Sequence, residues 1–388
     1  MKILFSHKLP YFEGHAGASK NARKILKNLS NRGHEVIAIC PDSFAGQESE
    51  EPVANRKGVN LSSALTMDDK IKVYALPREI NFEKSLDYVL GIWQPDCVII
   101  GEDPSYLTLA VARERTKKRI ILLAQSQSTL PFGPEAFYPD EKRTELLQQP
   151  VEIVVCSHYV QDYVKRWANL VAGLLPSILR EHLYAPRLGK FTNPYVMFIN
   201  ASNIKGLPIF LKLAEQFPAV AFAAVRGWAT TADDIQTMKQ LGNITVLEPD
   251  KNVDKIYAQT RILLVPSLWG EAYGYVALEA MARGIPVLAS NAGGLTEAKL
   301  GVDHLLPVNP VAAYGKKLDE RLIPEAVIPE QNIEPWAHAL RGLIEDQSTW
   351  DHLANKSRSV AKQYLENLDE SVWMDFIEGD NPMRGTSN

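Results

Sequence analysis

The sequence predicts an α/β fold with two Rossmann-like, doubly wound domains that face each other across a central cleft. Short, continuous apolar runs alternate with helical patterns, as is typical of parallel strands covered by helices on both faces. This alternation restarts after a polar, turn-like stretch at 184–193. The length of 388 residues also exceeds what one hydrophobic core usually supports. We therefore expect a first domain over 1–187 and a second domain over 194–365.

The first forty residues show the repeating unit. An apolar run at 2–6 is typical of a buried strand, and a turn-rich segment follows it. Apolar residues then recur at helical spacing from Ala22 to Leu29, and Gly33 stands where a helix commonly ends on glycine. A second apolar run at 35–40 completes a strand–helix–strand unit, the beginning of a parallel sheet.

Further strands are predicted at 97–101, 119–124, 152–156, 195–199, 219–225, 244–247, 261–266 and 285–290. The helical pattern of the second domain begins at about 208–216. The polar stretch 43–69 is interpreted as a loop-rich excursion, and the proline-rich stretch 307–335 as a lid or an edge insertion. An amphipathic helix over 366–380 would complete the first domain.

Composition excludes several classes of function. The formal net charge of −4 gives no reason to expect binding to nucleic acid or to an anionic membrane. The three cysteines, Cys40, Cys97 and Cys156, lie far apart in apolar surroundings, which predicts buried thiols and no metal site. The first apolar run is too short for a signal peptide, and no stretch approaches the ~20 apolar residues that cross a bilayer. We expect a cytoplasmic protein, monomeric or homodimeric.

A glycine-containing loop at 266–275 leads from a strand into a helix. The first backbone amides of a helix and the positive end of its dipole form an anion site, which would suit a diphosphate. Glu271 precedes this helix and Glu279 lies about one turn inside it, where carboxylates can accept hydrogen bonds from sugar and ribose hydroxyls. Taken alone, two such glutamates would more often be a helix cap and a solvated surface residue.

The surrounding motif decides between these interpretations. Pro-Ser-Leu-Trp precedes the glutamate pair and Ala-Met-Ala-Arg-Gly-Ile-Pro follows it, and over 195–300 the chain resembles the retaining glycosyltransferases of family 4 (glycosyl transferases group 1), which have the GT-B fold. The resemblance implies that Glu271 contacts the transferred sugar and Glu279 the ribose. It also implies that the backbone amides of Tyr273, Gly274 and Tyr275 approach the sugar and the phosphates.

The loop after strand 195–199 departs from this family. The family usually places an arginine and a lysine here, five residues apart, on the leaving diphosphate. Lys205 matches the lysine, whereas Asn200 stands in the arginine's place. Asn200 itself, Ser202, or Arg226 in the turn with Gly227 would have to substitute for the missing charge. The alternative for Lys205 is a surface lysine beside a turn.

Two other loops of the second domain belong to the expected donor site. The paired glycines Gly293 and Gly294 let a backbone approach a ligand closely, while Thr296 and Glu297 shape their loop. The strand end at Leu247 resembles the edge where the family binds the base through backbone atoms.

The first domain is expected to bind the acceptor. The loop with Gly14, His15 and Gly17 resembles the family's glycine pair near the phosphates and the acceptor. Glu102 and Asp103 follow a strand end and face the cleft by position, and capping of the next helix is an equal alternative for them. Gln127 stands near the point where many relatives carry a histidine.

These observations predict transfer of a sugar from a nucleoside diphosphate to a small, soluble acceptor with retention of configuration. Glu271 would hold the sugar, while Lys205 and the helix N-terminus would stabilise the leaving diphosphate. No metal or further cofactor is expected. Two alternatives stay open: a nucleotide-sugar epimerase or hydrolase on the same fold, and an inactive nucleotide-sugar-binding protein.

Overall fold

A computed structural model of the protein describes residues 1–12, 17–43, 61, 64–148, 150–319 and 323–379. The chain divides into two compact units. The first unit comprises the described residues of Met1–Ile178 and Asp369–Asn388, with a short piece from Leu318–Ile323. The second comprises the described residues of Leu179–Lys317 and Pro324–Leu368.

The first unit is built on one eight-stranded sheet. Its strands are β1 (Lys2–Ser6), β2 (Glu35–Pro41), β3 (Leu65–Asp68), β4 (Ile71–Leu76), β5 (Cys97–Ile100), β6 (Arg119–Ala124), β7 (Val151–Val155) and β8 (Ala172–Leu174). Their spatial order is β3-β4-β2-β1-β5-β6-β7-β8, and every neighbouring pair is parallel except β3 with β4. The helices that follow these strands are α1 (Gly17–Asn31), α2 (Phe82–Trp93), α3 (Leu107–Arg115), α4 (Glu141–Glu145) and α5 (His158–Ala168).

The central strands of this sheet are apolar because both of their faces are buried. All four residues of β5 are buried, and Ile3 and Ala38 on the neighbouring strands have no exposed surface. The predicted burial of the three free cysteines is confirmed. The prediction of a loop over 43–69 is wrong for its last residues, which form β3. This strand escaped prediction because it lies at the sheet edge and exposes Leu65 and Met67.

The second unit repeats the architecture with a smaller sheet. Its strands are β9 (Tyr195–Ile199), β10 (Phe222–Val225), β11 (Ile244–Leu247), β12 (Thr260–Val265), β13 (Val287–Ser290) and β14 (Leu305–Leu306), in the parallel order β11-β10-β9-β12-β13-β14. Its helices are α6 (Leu207–Gln216), α7 (Ala232–Met238), α8 (Asp254–Tyr257), α9 (Tyr275–Ala282), α10 (Leu295–Ala298), α11 (Glu334–Glu345) and α12 (Gln347–Asn367). A separate two-stranded sheet pairs β15 (Tyr314–Leu318) with β16 (Pro324–Ala326), inside the proline-rich stretch.

Two strands of the second unit are shorter than predicted. The strand predicted at 285–290 begins only at Val287, since Ile285 N donates to Ala280 O in the turn after α9. The apolar run at 219–225 becomes a strand only from Phe222, because Val220 N donates to Phe217 O in a turn that ends the preceding helix. Phe222 N then donates to Asn243 O, and the ladder with β11 begins there.

The last described helix, α13 (Val372–Glu378), belongs to the first unit. It begins later than the predicted 366–380, since α12 continues to Asn367 and Asp369 accepts a hydrogen bond from Ser371 N in a new turn. The indole of Trp373 donates to Pro176 O at 2.6 Å. Arg119 donates to Phe376 O at 2.7 Å. Helix α13 therefore closes the core of the first unit with its own apolar face. No helix in the described ranges has the length and apolarity to cross a membrane.

Candidate active site

The second sheet reverses its strand order between β9 and β12, and ligands bind at such switch points in open α/β sheets. The loops that follow these two strands lie side by side. Ile204 O accepts hydrogen bonds from Leu268 N at 2.9 Å and from Trp269 N at 3.2 Å. Gly206 has a φ of +98°, and a Cβ there would stand 2.0 Å from Pro266 O, so only glycine permits this approach. The two loops are thereby held as one surface.

This contact joins Lys205 to Glu271, which are 66 residues apart in sequence. The Lys205 ammonium donates to Glu271 Oε1 at 2.7 Å, and the Ser267 hydroxyl donates to the same oxygen. Only 11% of the lysine side chain and 13% of the glutamate side chain are exposed. Burial lowers the pKa of Lys205, and the Glu271 carboxylate opposes that shift. The alternative of a surface lysine is therefore wrong.

The alternative role of Glu271, capping of the helix, is also wrong. Helix α9 begins at Tyr275 after Gly274, whose φ is +101°, and no side chain caps it. A Cβ at Gly274 would stand 2.5 Å from Leu295 Cδ2, so this glycine fixes where the helix begins. The buried ring of Tyr273 lies 5.5 Å from the Tyr275 ring, and its hydroxyl is 3.1 Å from the Tyr364 hydroxyl.

The paired glycines at 293 and 294 act on the protein backbone. Gly294 N donates to Glu271 O at 2.6 Å, and Gly293 pairs with Glu271 as an isolated parallel bridge. A Cβ at Gly293 would stand 2.6 Å from Glu271 N, and one at Gly294 2.5 Å from Ala272 O. We expected the two glycines to approach a ligand closely. They instead approach the backbone of the Glu271 loop and hold that loop in place. Thr296 Oγ1 donates to Gly293 O at 3.0 Å and helps to shape this turn.

Glu279 is held by two residues that sequence reasoning missed. Tyr257 donates its hydroxyl to Glu279 Oε2 at 2.8 Å, and His182 Nε2 lies 3.5 Å from Oε1. Burial, followed by the Glu279 charge, raises the pKa of Tyr257 well above its usual value. With 15% of its side chain exposed, Glu279 is not the solvated residue of the alternative interpretation. Nothing in the sequence marks these partners, because helix α8 and the 3-10 turn at Arg180–Tyr184 bring them in from elsewhere.

The residues expected to replace the missing arginine occupy different environments. Asn200 Oδ1 accepts from Ala229 N at 2.9 Å. Arg226 is about half exposed and pairs with the exposed Glu248 at 2.9 Å. The Ser202 hydroxyl is buried and has no hydrogen-bond partner among the described residues.

Two further positions of the expected donor site lie beside this turn. Gly227 packs against Asn200, and a Cβ on it would stand 2.3 Å from Asn200 Oδ1. Leu247 ends β11, and its carbonyl accepts from Arg226 N at 3.0 Å.

Two indoles flank the buried cation, and sequence reasoning assigned no role to either. The Lys205 ammonium lies 4.2 Å from the Trp269 ring centroid and 5.8 Å from that of Trp228. The two ring centroids are 5.7 Å apart. Cations near aromatic faces are stabilised by the ring quadrupole. The available signal was a tryptophan in each loop at the carboxyl ends of β10 and β12.

In the first unit, a buried polar network lies at the carboxyl ends of β1, β5 and β6. Glu102 accepts hydrogen bonds from Gln125 N at 3.1 Å and from the Thr129 hydroxyl. Burial raises the pKa of Glu102 to about 7. His7 was not predicted to belong to a site. Its Nδ1 accepts a hydrogen bond from Glu102 N at 3.0 Å, and burial lowers the pKa of His7 to about 3. Its Nε2 lies 3.2 Å from the Ser19 hydroxyl.

The other first-unit candidates are engaged in local structure. Asp103 accepts from the backbone of Ser105 at 3.0 Å and of Thr108 at 2.9 Å, which is the capping alternative. Gln127 is buried and donates to Glu135 at 2.9 Å.

The glycine-pair loop of the first unit is described only in part. Gly17 is the first residue of α1, whereas Gly14 and His15 lie outside the described residues. Among the residues that the structure describes, no group of three or more His, Cys, Asp or Glu side chains could hold a metal ion.

Residues 195–322 match the model of the family named glycosyl transferases group 1. The match covers the strands and loops of the second unit that carry Lys205, Glu271 and Glu279. The chain has the GT-B fold, with two Rossmann-like α/β units, and the prediction of this fold class is confirmed.

Curated relatives that match part of the chain are named as glycosyltransferases. The chain is 32% identical over 120 residues to the uncharacterized glycosyltransferase MJ1607 of Methanocaldococcus jannaschii, covering 29% of this chain and 28% of the relative. It is 28% identical over 151 residues to a D-inositol 3-phosphate glycosyltransferase of Mycobacteroides abscessus, and this match covers 36% of this chain and 29% of the relative. The matches to curated relatives span between 19% and 29% of their lengths. These relatives and the matching family are glycosyltransferases, enzymes of the EC 2.4 class.

Two solved structures share the fold over nearly the whole chain. A sucrose-phosphate synthase from Thermosynechococcus elongatus superposes with a TM-score of 0.72 at 17% identity, covering 97% of this chain and 98% of the other. Anabaena Alr3699/HepE in complex with UDP-glucose superposes with a TM-score of 0.69 at 17% identity, covering 97% of this chain and 99% of the other.

Proposed function

We propose that this chain is a glycosyltransferase that moves a sugar from a nucleoside diphosphate to a small, soluble acceptor with retention of configuration. The buried Lys205–Glu271 pair carries the proposal, since it joins a cation and a carboxylate beside the N-terminus of α9. A structural neighbour binds UDP-glucose, which makes UDP-sugars the first donors to test.

In the proposed reaction the diphosphate arrives at a site that already holds opposite charges. The Lys205 ammonium and the first amides of α9 would bind the phosphate oxygens, and their preorganised charge would stabilise the diphosphate as the glycosidic bond breaks. Glu271 would turn from Lys205 towards the sugar hydroxyls. The departing phosphate would take the acceptor's proton on the same face, so that catalysis consists mainly of positioning. We expect turnover without an added metal.

Substitution of the two glutamates is predicted to change different kinetic constants. Glu271→Ala removes the carboxylate beside Lys205 and should lower turnover by about 10²–10³-fold, as losses of transition-state contacts do. Glu279→Ala should mainly raise the donor KM, by roughly tenfold for a lost pair of hydrogen bonds. Steady-state kinetics with a UDP-sugar measure both values. Glu345→Ala, an exposed residue of α11, is the matched control. Wild-type turnover in Glu271→Ala would contradict the proposal.

The ligand class can be tested without knowing the acceptor. A thermal-shift screen of UDP, GDP, ADP and dTDP with their sugars should show specific stabilisation by one base, because a ligand that binds only the folded state raises its melting temperature. Product analysis then separates transfer, which needs an acceptor, from epimerisation or hydrolysis, which need only the nucleotide-sugar. NMR of the product's anomeric proton tests retention.

A further inference from the structure

The position where the family carries an arginine has a different use in this chain. Asn200 has a left-handed backbone, with a φ of +62°, and its backbone N–H donates to Val225 O at 2.9 Å. Its side-chain oxygen accepts from Ala229 N at 2.9 Å. Asparagine tolerates this backbone conformation better than most residues. The side chain is thereby committed to the neighbouring loop after β10, residues 227–230, which we name the Trp228 loop.

The Trp228 loop is tightly built. Gly227 N donates to the Thr230 hydroxyl at 3.0 Å, and Thr230 N donates to Gly227 O at 3.2 Å. Ala229 is completely buried. A Cβ at Gly227 would stand 2.3 Å from Asn200 Oδ1, so the loop leaves room for glycine alone against the asparagine. Asn200 therefore acts as a clasp that fixes the loop against the end of β9.

The Trp228 loop, held by Asn200, places the Trp228 ring beside the buried Lys205 ammonium. The Trp228 ring lies 5.8 Å from the Lys205 ammonium and 5.7 Å from the Trp269 ring. The indoles lower the local dielectric around the ammonium, and electrostatic interactions gain strength in less polar surroundings. A single cation covered in this way can bind a phosphate more strongly than an exposed one.

We propose that Trp228 is a donor-site residue and that Asn200 is the residue that positions it. The aromatic cover of Lys205 by Trp228 takes the place of the second cation on the nucleoside diphosphate. Arg226 pairs with the exposed Glu248 at 2.9 Å, whereas Trp228 lies beside the Lys205 ammonium. This inference rests on the proposed function, because it concerns the diphosphate end of the same site.

Substitutions at position 200 separate a clasp from a ligand-binding residue. Asn200→Gly keeps the left-handed backbone and loses the acceptor, and Asn200→Arg restores the family's charge but also loses the acceptor. If Asn200 acts through the loop, both variants bind the nucleoside diphosphate about fivefold more weakly, the effect of one lost hydrogen bond. Isothermal titration uses whichever of UDP, GDP, ADP and dTDP stabilises the wild type most. An Asn200→Arg affinity equal to or above the wild-type value would overturn the inference.

Intrinsic fluorescence tests Trp228 directly and does not depend on the stability of the position-200 variants. Trp228→Phe should reduce the change in emission that the nucleoside diphosphate causes in the wild type, whereas Trp167→Phe, in helix α5 of the first unit, should leave that change as it is. Trp228→Ala should weaken binding by about tenfold, as loss of a desolvated cation–π contact would. Asn200→Gly should reduce the emission change as Trp228→Phe does.

A folded Trp228→Ala that binds like the wild type would refute the role of Trp228 and leave the proposed function intact. Absence of nucleotide binding by the wild type would refute both.

Discussion

Lys299 is a single residue whose burial imposes a cost on the second unit. Its side chain is completely buried, and its ammonium donates to Val287 O at 2.6 Å. Burial lowers its pKa to about 7, and Asp303 only partly opposes this shift. An unfolded chain would hold the proton up to about pH 10.5. The folded state therefore binds fewer protons than the unfolded state between these two pH values.

This difference makes stability depend on pH. Since the unfolded state binds more protons, the free energy of unfolding should rise from about pH 7 towards pH 10. Lys299→Met keeps the length of the side chain and removes the charge, so it should flatten this rise and raise the free energy of unfolding at pH 7 by ~1–3 kcal/mol. Urea denaturation at pH 7.5 and 9.5 measures both effects. Lys316→Met, an exposed lysine, is the control, and an unchanged pH slope in Lys299→Met would contradict the prediction.

Single residues also show what the sequence could and could not predict about the site. Lys205 and Glu271 were identified from their motifs, and the structure pairs them. The use of Asn200 could not be predicted, because its partner Ala229 N is brought near only by the pairing of two strands. Tyr257 reaches Glu279 for a similar reason, through a short helix with no distinctive pattern.

At the scale of elements, the start of α9 is fixed by one glycine. Gly274→Ala would force a side chain into a backbone with φ +101° and against Leu295. We expect a loss of ~1–3 kcal/mol in the free energy of unfolding, the usual cost of such strain. The displaced helix start should also weaken binding of the nucleoside diphosphate. Thermal melting and titration calorimetry measure the two effects.

A matched glycine provides the control for this element. Gly242 precedes β11 and has open space where a Cβ would stand, so Gly242→Ala should change neither property. A Gly274→Ala protein that melts and binds like Gly242→Ala would show that the start of α9 does not depend on this glycine.

Elements were predictable where both faces are buried. Strands β1, β6 and β9 have the bounds that their apolar runs predict, because a parallel strand between two helical layers admits few polar residues. Strands β3 and β14 lie at sheet edges and are short, so backbone pairing alone defines them.

At the scale of the whole molecule, the two α/β units were predictable because the alternation of strands and helices restarts after 193. The first unit is discontinuous in sequence. Helix α13 joins it after the whole of the second unit, and it is held there by Trp373, which donates to Pro176 O, and by Arg119, which donates to Phe376 O.

Trp373 should therefore support one unit alone. Trp373→Ala leaves a cavity in the core of the first unit and should destabilise it by about 3–5 kcal/mol. Hydrogen exchange should rise in β1, β2 and β5 and stay unchanged in β9, β12 and β13. Trp350→Ala is the matched control, since that indole donates to Arg261 O inside the second unit and should give the opposite pattern. Faster exchange in both units of Trp373→Ala would contradict the prediction.

The return of helix α13 to the first unit also sets an order during protein synthesis. A nascent chain that has grown to residue 368 contains the second unit with its Lys205–Glu271 pair. The same chain still lacks Trp373, Met374 and Ile377, which cover the core formed by residues made before the second unit. The sheet of the first unit is thus synthesised before the second unit but is completed after it, because part of its apolar core stays uncovered until helix α13 has been made.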